Sequence, residues 1–219
     1  MVEINILGPL EVREGSESQA LGGTKQCAVL AILALQANTV VSTEMLVDGL
    51  WGADASERAF NAVQVYVSRL RKIVNRPRHG ALTPDLQRKS PGYVLLLDHD
   101  TLDLARFERL AERGKQALPG APDSAAAILR EALGLWRGPA LGEFAGLPFA
   151  VPEISRLAEM RLTVLAARVE ADLLLGRHAE LVGELEAKVA THPLHERLHH
   201  QLILSLYRSG RQAAALEAY

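Results

Sequence analysis

Apolar and polar residues alternate from Val2 to Val12, the period of a half-buried strand. Gly8-Pro9 interrupts the alternation and divides it into two short strands. Beyond a second break at Gly22-Gly23 the period becomes helical. Thr24 is placed to cap a helix running to about Gln36, with Val29, Leu30, Leu33 and Leu35 turned mostly inward. Ser42 precedes a second helix over about 43–51, which Trp51-Gly52 ends. A third and longer helix is predicted over about Glu57 to Asn75. At about 100° per residue, Ala59, Phe60, Val63, Val67, Leu70 and Val74 gather into one core stripe. The opposite arc holds Arg58, Asn61, Gln64, Val65, Ser68, Arg69 and Lys72, and Arg71 lies at its flank.

Pro77 and Gly80 break the chain after this helix, and Leu82 to Leu97 reads as a hairpin. Leu86-Gln87-Arg88-Lys89 leads into a turn at Ser90-Pro91-Gly92, and Tyr93 to Leu97 returns. From about Asp103 the pattern is helical throughout, in segments near 103–118, 123–136, 151–175, 178–190, 194–209 and 211–219. Gly176-Arg177-His178-Ala179 recurs as Gly210-Arg211-Gln212-Ala213, and Leu173 matches Tyr207. The offset of 34 residues is the period of tetratricopeptide helical hairpins, which stack into solenoids with concave protein-binding faces. Together these patterns predict an α+β chain: an N-terminal winged helix-turn-helix with flanking strands over 1–97, then an all-α, TPR-like repeat domain over 98–219.

With 48% hydrophobic residues the chain has the material for packed cores, and no apolar run reaches the ~20 residues that span a bilayer. No positive region precedes the first apolar stretch, so a secretory signal is not expected. The single cysteine, Cys27, excludes an intrachain disulfide and fits a reducing, cytoplasmic setting. The sequence stops at Tyr219 inside an amphipathic pattern, which suggests a piece of a longer protein.

The net charge of -2 is neutral on partners, but its distribution is not. Residues 1–57 hold eight acids and two bases. Residues 58–90 hold eight bases (Arg58, Arg69, Arg71, Lys72, Arg76, Arg78, Arg88, Lys89) and one acid, Asp85. That concentration is the footprint of a polyanion site, although a solvated basic helix gives the same count. The polar arc of the third helix also carries base-reading chemistry. Arg pairs bidentately with guanine, Asn or Gln with adenine, and an exposed Val touches a thymine methyl. A basic hairpin after such a helix suits an adjacent, narrow minor groove.

Other candidate chemistry is weaker. Trp51 reads as packing against the first helix, and Trp136 as seating the repeats on the winged helix. His195 and His199 share an i, i+4 spacing within a cluster that includes His192 and His200. Neither an HExxH pattern nor a nearby cysteine accompanies them, so helix surface and packing is the simpler reading. Cys27 reads as a structural thiol. Gly22-Gly23-Thr24-Lys25 lacks the spacing of a phosphate loop. Paired carboxylates, a Ser/His/Asp arrangement and a cofactor fingerprint are all missing from the sequence, so neither enzyme activity nor a cofactor or metal is expected. A protein-interaction scaffold with a merely solubilising basic helix is the main alternative to a DNA-binding protein.

Several stretches resemble one family across almost the whole chain. Gly22-Gly23-Thr24-Lys25-Gln26, Ala37-Asn38 to Val41-Ser42, Leu50-Trp51-Gly52 and Val65-Tyr66-Val67-Ser68-Arg69-Leu70-Arg71-Lys72 resemble the DNA-binding half of the Streptomyces antibiotic regulatory proteins (SARPs), which is similar to OmpR/PhoB-type winged helices. Ser90-Pro91-Gly92-Tyr93 looks like their wing turn. Asp103 with Phe107-Glu108, Leu135 to Leu141, Leu175 to Leu181, His192 to Leu198 and Leu206 to Ala213 resemble the bacterial transcriptional activation domain. The resemblance implies an activator of specialised-metabolite gene clusters. It implies binding to direct repeats near the promoter -35 region, with recruitment of RNA polymerase and its sigma factor and a neighbouring protomer on the DNA. It places Asn61, Ala62, Val65, Tyr66 and Arg69 towards the major groove, Ser68, Arg71 and Lys72 near phosphates, and Lys89, with Arg88 beside it, at the minor groove. The helical wheel agrees for Asn61, Val65 and Arg69 and sets Tyr66 nearer the core edge. Two positions depart from the family: Cys27 stands where a basic residue is usual, and Ala55-Ser56 where a Pro pair is usual.

Overall fold

A computed structural model describes residues 2–75, 84–98 and 100–219. The segment containing Arg76, Pro77, Arg78, Gly80 and Leu82, where the sequence pattern places the break and the start of the hairpin, lies outside the described residues. The chain divides into two compact units, residues 1–108 with 135–159, and residues 109–134 with 160–219.

The first unit opens with strands β1 (Val2–Asn5), β2 (Glu11–Glu14) and β3 (Glu17–Ser18), paired antiparallel in that order with Ile4 opposite Val12. The alternation anticipated β1 and β2. It did not reveal β3, whose two exposed residues bury nothing and leave no hydrophobic period. Helix α1 (Thr24–Leu35) follows, capped by Gly23 and not by Thr24. Thr24 is instead the first helical residue, and no side chain caps this end. Strand β4 (Val41–Ser42) leads into α2 (Thr43–Trp51), where Ser42 Oγ accepts the Met45 N–H at 3.0 Å and caps the helix as expected. Gly52, at φ +54°, closes α2 in a conformation that disfavours a side chain. Helix α3 (Ala59–Val74) and strands β5 (Asp85–Lys89) and β6 (Gly92–Leu96) complete the winged helix, the second sheet being ordered β4-β6-β5.

The sheet at the N-terminus is fastened to the start of α4 (Asp103–Ala117) by one buried carboxylate. Asp103 accepts the Ile6 and Leu7 N–H groups at 2.8 and 2.9 Å, while the Ile4 N–H donates to Thr101 O at 2.7 Å. Burial pushes the Asp103 carboxyl up, opposed by those backbone hydrogen bonds and by the charge of Arg137. Trp136 meets Phe107 edge-on, with centroids 5.3 Å apart and planes at 85°, a favoured aromatic geometry.

The second unit is helical. It takes in α5 (Pro122–Gly134), α7 (His178–Thr191), α8 (Glu196–Arg208), α9 (Gln212–Glu217) and parts of α4 and α6 (Ala150–Leu174). Its core is built by Leu165, Val169, Leu173, Leu181, Leu185, Leu198, Leu202 and Leu206. The 34-residue repeat is reproduced bond for bond at its turns. Gly176 and Gly210 both take φ +78°. The Arg177 N–H donates to Asp172 O at 3.0 Å, and the Arg211 N–H donates to Leu206 O at 2.9 Å.

Asp172, 2% exposed, sits at the centre of an ion network in this unit. Arg177 Nη1 reaches it at 2.8 Å and Arg168 Nη1 at 3.1 Å, Arg130 completes the set, and Arg168 also pairs with Glu184 on α7 at 2.5 Å. One carboxylate therefore links α5, α6 and the turn into α7. Burial would raise its pKa, but the hydrogen bonds from Arg168 and Arg177 and the charges of Arg130 and Arg168 outweigh it and hold the carboxyl below its ordinary value. A depressed carboxylate stabilises the fold above its unfolded pKa of about 3.9 and loses that contribution as pH falls through the folded value. Urea unfolding followed by circular dichroism is therefore expected to show a steep loss of stability below about pH 4. Asp172→Ala is expected to cost about 3 kcal/mol at neutral pH and to flatten that loss, because it removes the carboxylate shared by three guanidinium groups and leaves the buried Arg168 with Glu184 alone. An unchanged acid limb in the variant would assign the loss to other carboxylates.

Candidate nucleic-acid interface

Helix α3 has the two faces its sequence encodes. Ala59, Val63, Val67, Leu70 and Val74 are buried, stepping three or four residues at a time towards α1 and α2. Asn61, Gln64, Val65, Ser68, Arg69 and Lys72 are exposed, and Ala62, Tyr66 and Arg71 are half-buried. Phe60 departs from the expected stripe. It is 43% exposed, because it sits at the stripe's edge in the first turn. Val65 is 47% exposed, an apolar side chain held in solvent among polar neighbours.

The basic hairpin is tight. Arg88 pairs with Tyr93 and Lys89 with Gly92, so the turn is Ser90-Pro91 alone and Gly92 belongs to β6. Gly92 lies opposite Ser42 of β4. A Cβ on Gly92 would stand 1.9 Å from Val41 O, so only glycine permits this approach. Arg88 and Lys89 are exposed where β5 meets the turn. The Thr43 N–H and hydroxyl both reach Pro91 O at 3.4 Å, which ties the N-terminus of α2 to the same turn.

Asn75 and Arg71 join α3 to β5. The Leu86 N–H donates to Asn75 Oδ1 at 2.8 Å, and Asn75 Nδ2 donates to Asp85 Oδ1 at 2.5 Å and Leu86 O at 3.3 Å. Arg71 Nε donates to Leu86 O at 2.9 Å, and its guanidinium lies 5.9 Å from the Tyr93 ring centroid. Arg71 is thus anchored to the hairpin, whereas Arg69, Lys72, Arg88 and Lys89 make no ion pair among the described residues. Sequence reasoning missed Asn75 as a structural tie. Its only local signal was a helix-ending asparagine just ahead of Pro77. At the far end of the winged helix, Asn38 at φ +64° holds Leu97 through both of its side-chain atoms, at 2.9 and 3.1 Å.

The remaining candidates have local roles. Trp51 is half-buried, with Lys25 Nζ 4.5 Å above its ring. Cys27 is half-buried, and burial followed by Glu143 raises its thiol pKa, the opposite of an activated nucleophile. His195 Nδ1 accepts the Leu198 N–H at 3.3 Å at the start of α8, and His199 Nε2 lies 2.9 Å from Pro193 O. Among the described residues no group of three His, Cys, Asp or Glu side chains is placed to hold a metal, and no helix is long and apolar enough to cross a membrane.

This geometry defines a winged-helix transcriptional regulator. Residues 18–95 match the family described as transcriptional regulatory protein, C terminal, and residues 102–219 match the bacterial transcriptional activator domain. The regulatory protein DnrI of Streptomyces peucetius is 43% identical over 224 residues, covering 100% of this chain and 82% of DnrI. The transcriptional regulator RedD of Streptomyces coelicolor is 37% identical over 222 residues, covering 100% of this chain and 63% of RedD. The solved structure of Mycobacterium tuberculosis EmbR in complex with a low-affinity phosphopeptide superposes with a TM-score of 0.91 at 33% identity, over 100% of this chain and 57% of the EmbR chain. The chain belongs to the Streptomyces antibiotic regulatory protein family of transcriptional activators.

Asn75→Ala removes the Asn75 bonds between α3 and β5, leaving the Arg71 one, and leaves the Leu86 N–H without its side-chain partner. It is expected to lower stability by about 1–3 kcal/mol. Amide exchange over 85–89 is expected to speed up more than exchange within α1. Equal acceleration throughout would show that Asn75 stabilises the whole unit and does not specifically seat the hairpin.

Proposed function

We propose that this protein is a sequence-specific DNA-binding activator in which α3 enters the major groove and the β5–β6 hairpin touches the adjacent minor groove. The observation that carries the reading is the exposure of Asn61, Gln64, Val65, Ser68, Arg69 and Lys72 on α3 and of Arg88 and Lys89 at the hairpin tip. Asn61, Ala62, Val65, Tyr66 and Arg69 supply the base-facing set, Ser68, Arg71 and Lys72 the phosphate set, and Arg88 and Lys89 the minor-groove tip. Phosphate contacts supply most of the affinity and base contacts choose the site. The half-buried Tyr66 and the hairpin-bound Arg71 contribute through the parts of their side chains still facing solvent.

The wider reading follows the family. The protein binds direct repeats near the promoter -35 region, with a second protomer on the neighbouring repeat, and recruits RNA polymerase and its sigma factor to a specialised-metabolite gene cluster. Residues 1–97 form the DNA-binding domain and 98–219 the activation domain. The protein acts in the cytoplasm, without catalysis or a cofactor. The family-model matches and the antibiotic-regulator relatives support this assignment.

The test is selection from a pool of random duplexes, followed by binding of the winner across salt concentrations. An enriched direct repeat is expected, with log K falling by about 0.9 per log salt for each phosphate neutralised. Arg69→Ala is expected to cost about 1–3 kcal/mol on the selected site and little on random duplex. Replacing Arg88 and Lys89 together by Ala is expected to flatten the salt slope by up to about 1.8 while leaving the preferred sequence nearly unchanged. A flat wild-type slope without enrichment would sink the DNA reading in favour of a protein-interaction scaffold.

A further inference from the structure

The polar stripe of α3 begins one residue before the helix itself. Arg58, at the N-cap, is exposed and already has helical torsions, φ -79° and ψ -12°. Its carbonyl accepts the Ala62 N–H at 3.0 Å, a helical i, i+4 bond. Arg58 therefore lies on the same screw as the residues that follow it. At about 100° per residue it falls within about 20° of both Val65 and Arg69. It stands about 16 Å along the axis from Arg69, at the end of α3 away from Asn75 and Arg71.

Nothing in the fold accounts for an arginine there. The N-terminal end of a helix carries partial positive charge and favours an acid or a small polar cap. Helix α3 has no side-chain cap bond and no acid in its first turn. Among the described residues Arg58 makes no ion pair. It is the only cation between Lys25 and Arg69, and the exposed acids Asp54 and Glu57 come just before it. A lone cation beside acids adds little to a diffuse pull on phosphates, which grows with clustered charge. Directional pairing is what a guanidinium still contributes at such a place. Its planar fork of N–H donors matches O6 and N7 of guanine. The N-terminal residues of a groove-bound recognition helix are also the ones that contact base edges.

We propose that Arg58 is a further base-reading residue, pairing bidentately with a guanine at the outer end of each repeat. This rests on the DNA-binding reading above. The base-facing stripe then runs from the N-cap through Asn61 and Val65 to Arg69, and one more base pair per repeat is specified.

The whole chain, Arg58→Ala and Arg58→Lys are put through the same selection from random duplexes. Each is then titrated with the wild-type winner and with random duplex across salt concentrations. Arg58→Ala is expected to keep the repeat spacing and the other preferred positions and to lose the preference at one outer G·C pair. It should bind the wild-type winner about fivefold or more weakly and random duplex within about twofold of wild type. Arg58→Lys keeps the charge without the fork and should not restore the lost preference. Both variants should unfold at the wild-type urea midpoint. A lowered midpoint would make Arg58 a structural residue and overturn the proposal. So would selection of the wild-type sequence at full preference by Arg58→Ala. Equal weakening on both duplexes with a flatter salt slope would assign Arg58 to a phosphate, and restoration by lysine would assign it to charge alone; either overturns the proposal. A wild type that enriches no sequence would bring down the DNA-binding reading and this proposal with it, whereas unchanged selection by Arg58→Ala leaves that reading standing.

Discussion

The surface proposed to face DNA depends on the junction at which Asn75 and Arg71 hold strand β5 to the C-terminal end of α3. An isolated two-stranded hairpin is marginal in water. Here the hairpin is fixed on both sides. On one side Asn75 substitutes for a strand partner at Leu86. On the other, β4 lies against Gly92 so closely that any side chain there would strike Val41 O. The exposed cations at the hairpin tip and on α3 therefore belong to one rigid template. A groove-reading protein needs that rigidity, because phosphate contacts fix the register in which base contacts are read.

How much of this was legible in the sequence depends on whether the responsible signal is local. The buried stripe of α3 follows from its helical period, and Val63, Val67, Leu70 and Val74 are all in the core. Phe60 shares that period but lies at the stripe's edge where the helix begins, so the wheel gives its angle and not its burial. The Ser42 cap was readable because its partner is three residues away. Thr24 carried the same signature, yet the cap falls one residue earlier, at Gly23, and Thr24 is the first helical residue. Asn75 was missed for the opposite reason. Its partners, Asp85 and Leu86, lie ten and eleven residues on, past a break that a sequence pattern cannot fold.

The repeat in the second unit separates the two kinds of information further. A glycine at φ +78° followed by arginine specifies the same turn twice, so Gly176-Arg177 and Gly210-Arg211 were visible as a period and do take the same hydrogen bonds. The position that accepts the arginine N–H is Asp172 in one turn and Leu206 in the other. The backbone role is shared, and the side chains diverge. Leu206 joins the apolar core, whereas Asp172 gathers three guanidinium groups. Periodicity reports the constraint common to both copies and says nothing of a charge network built in one of them.

The same distinction explains why the basic stretch is more than a count of charges. Asp85, the one acid among residues 58–90, is half-buried and accepts from Asn75 and Gln87, at 2.5 Å from each. Asp85 thus helps to position the hairpin. Arg71 Nε is likewise engaged, by Leu86 O. What remains exposed is a set of cations with no ion pair among the described residues, Arg69, Lys72, Arg88 and Lys89, beside neutral hydrogen-bonding groups at Asn61, Gln64 and Ser68. Exposed cations interleaved with amides and an exposed valine are the chemistry that the proposed groove-reading role requires.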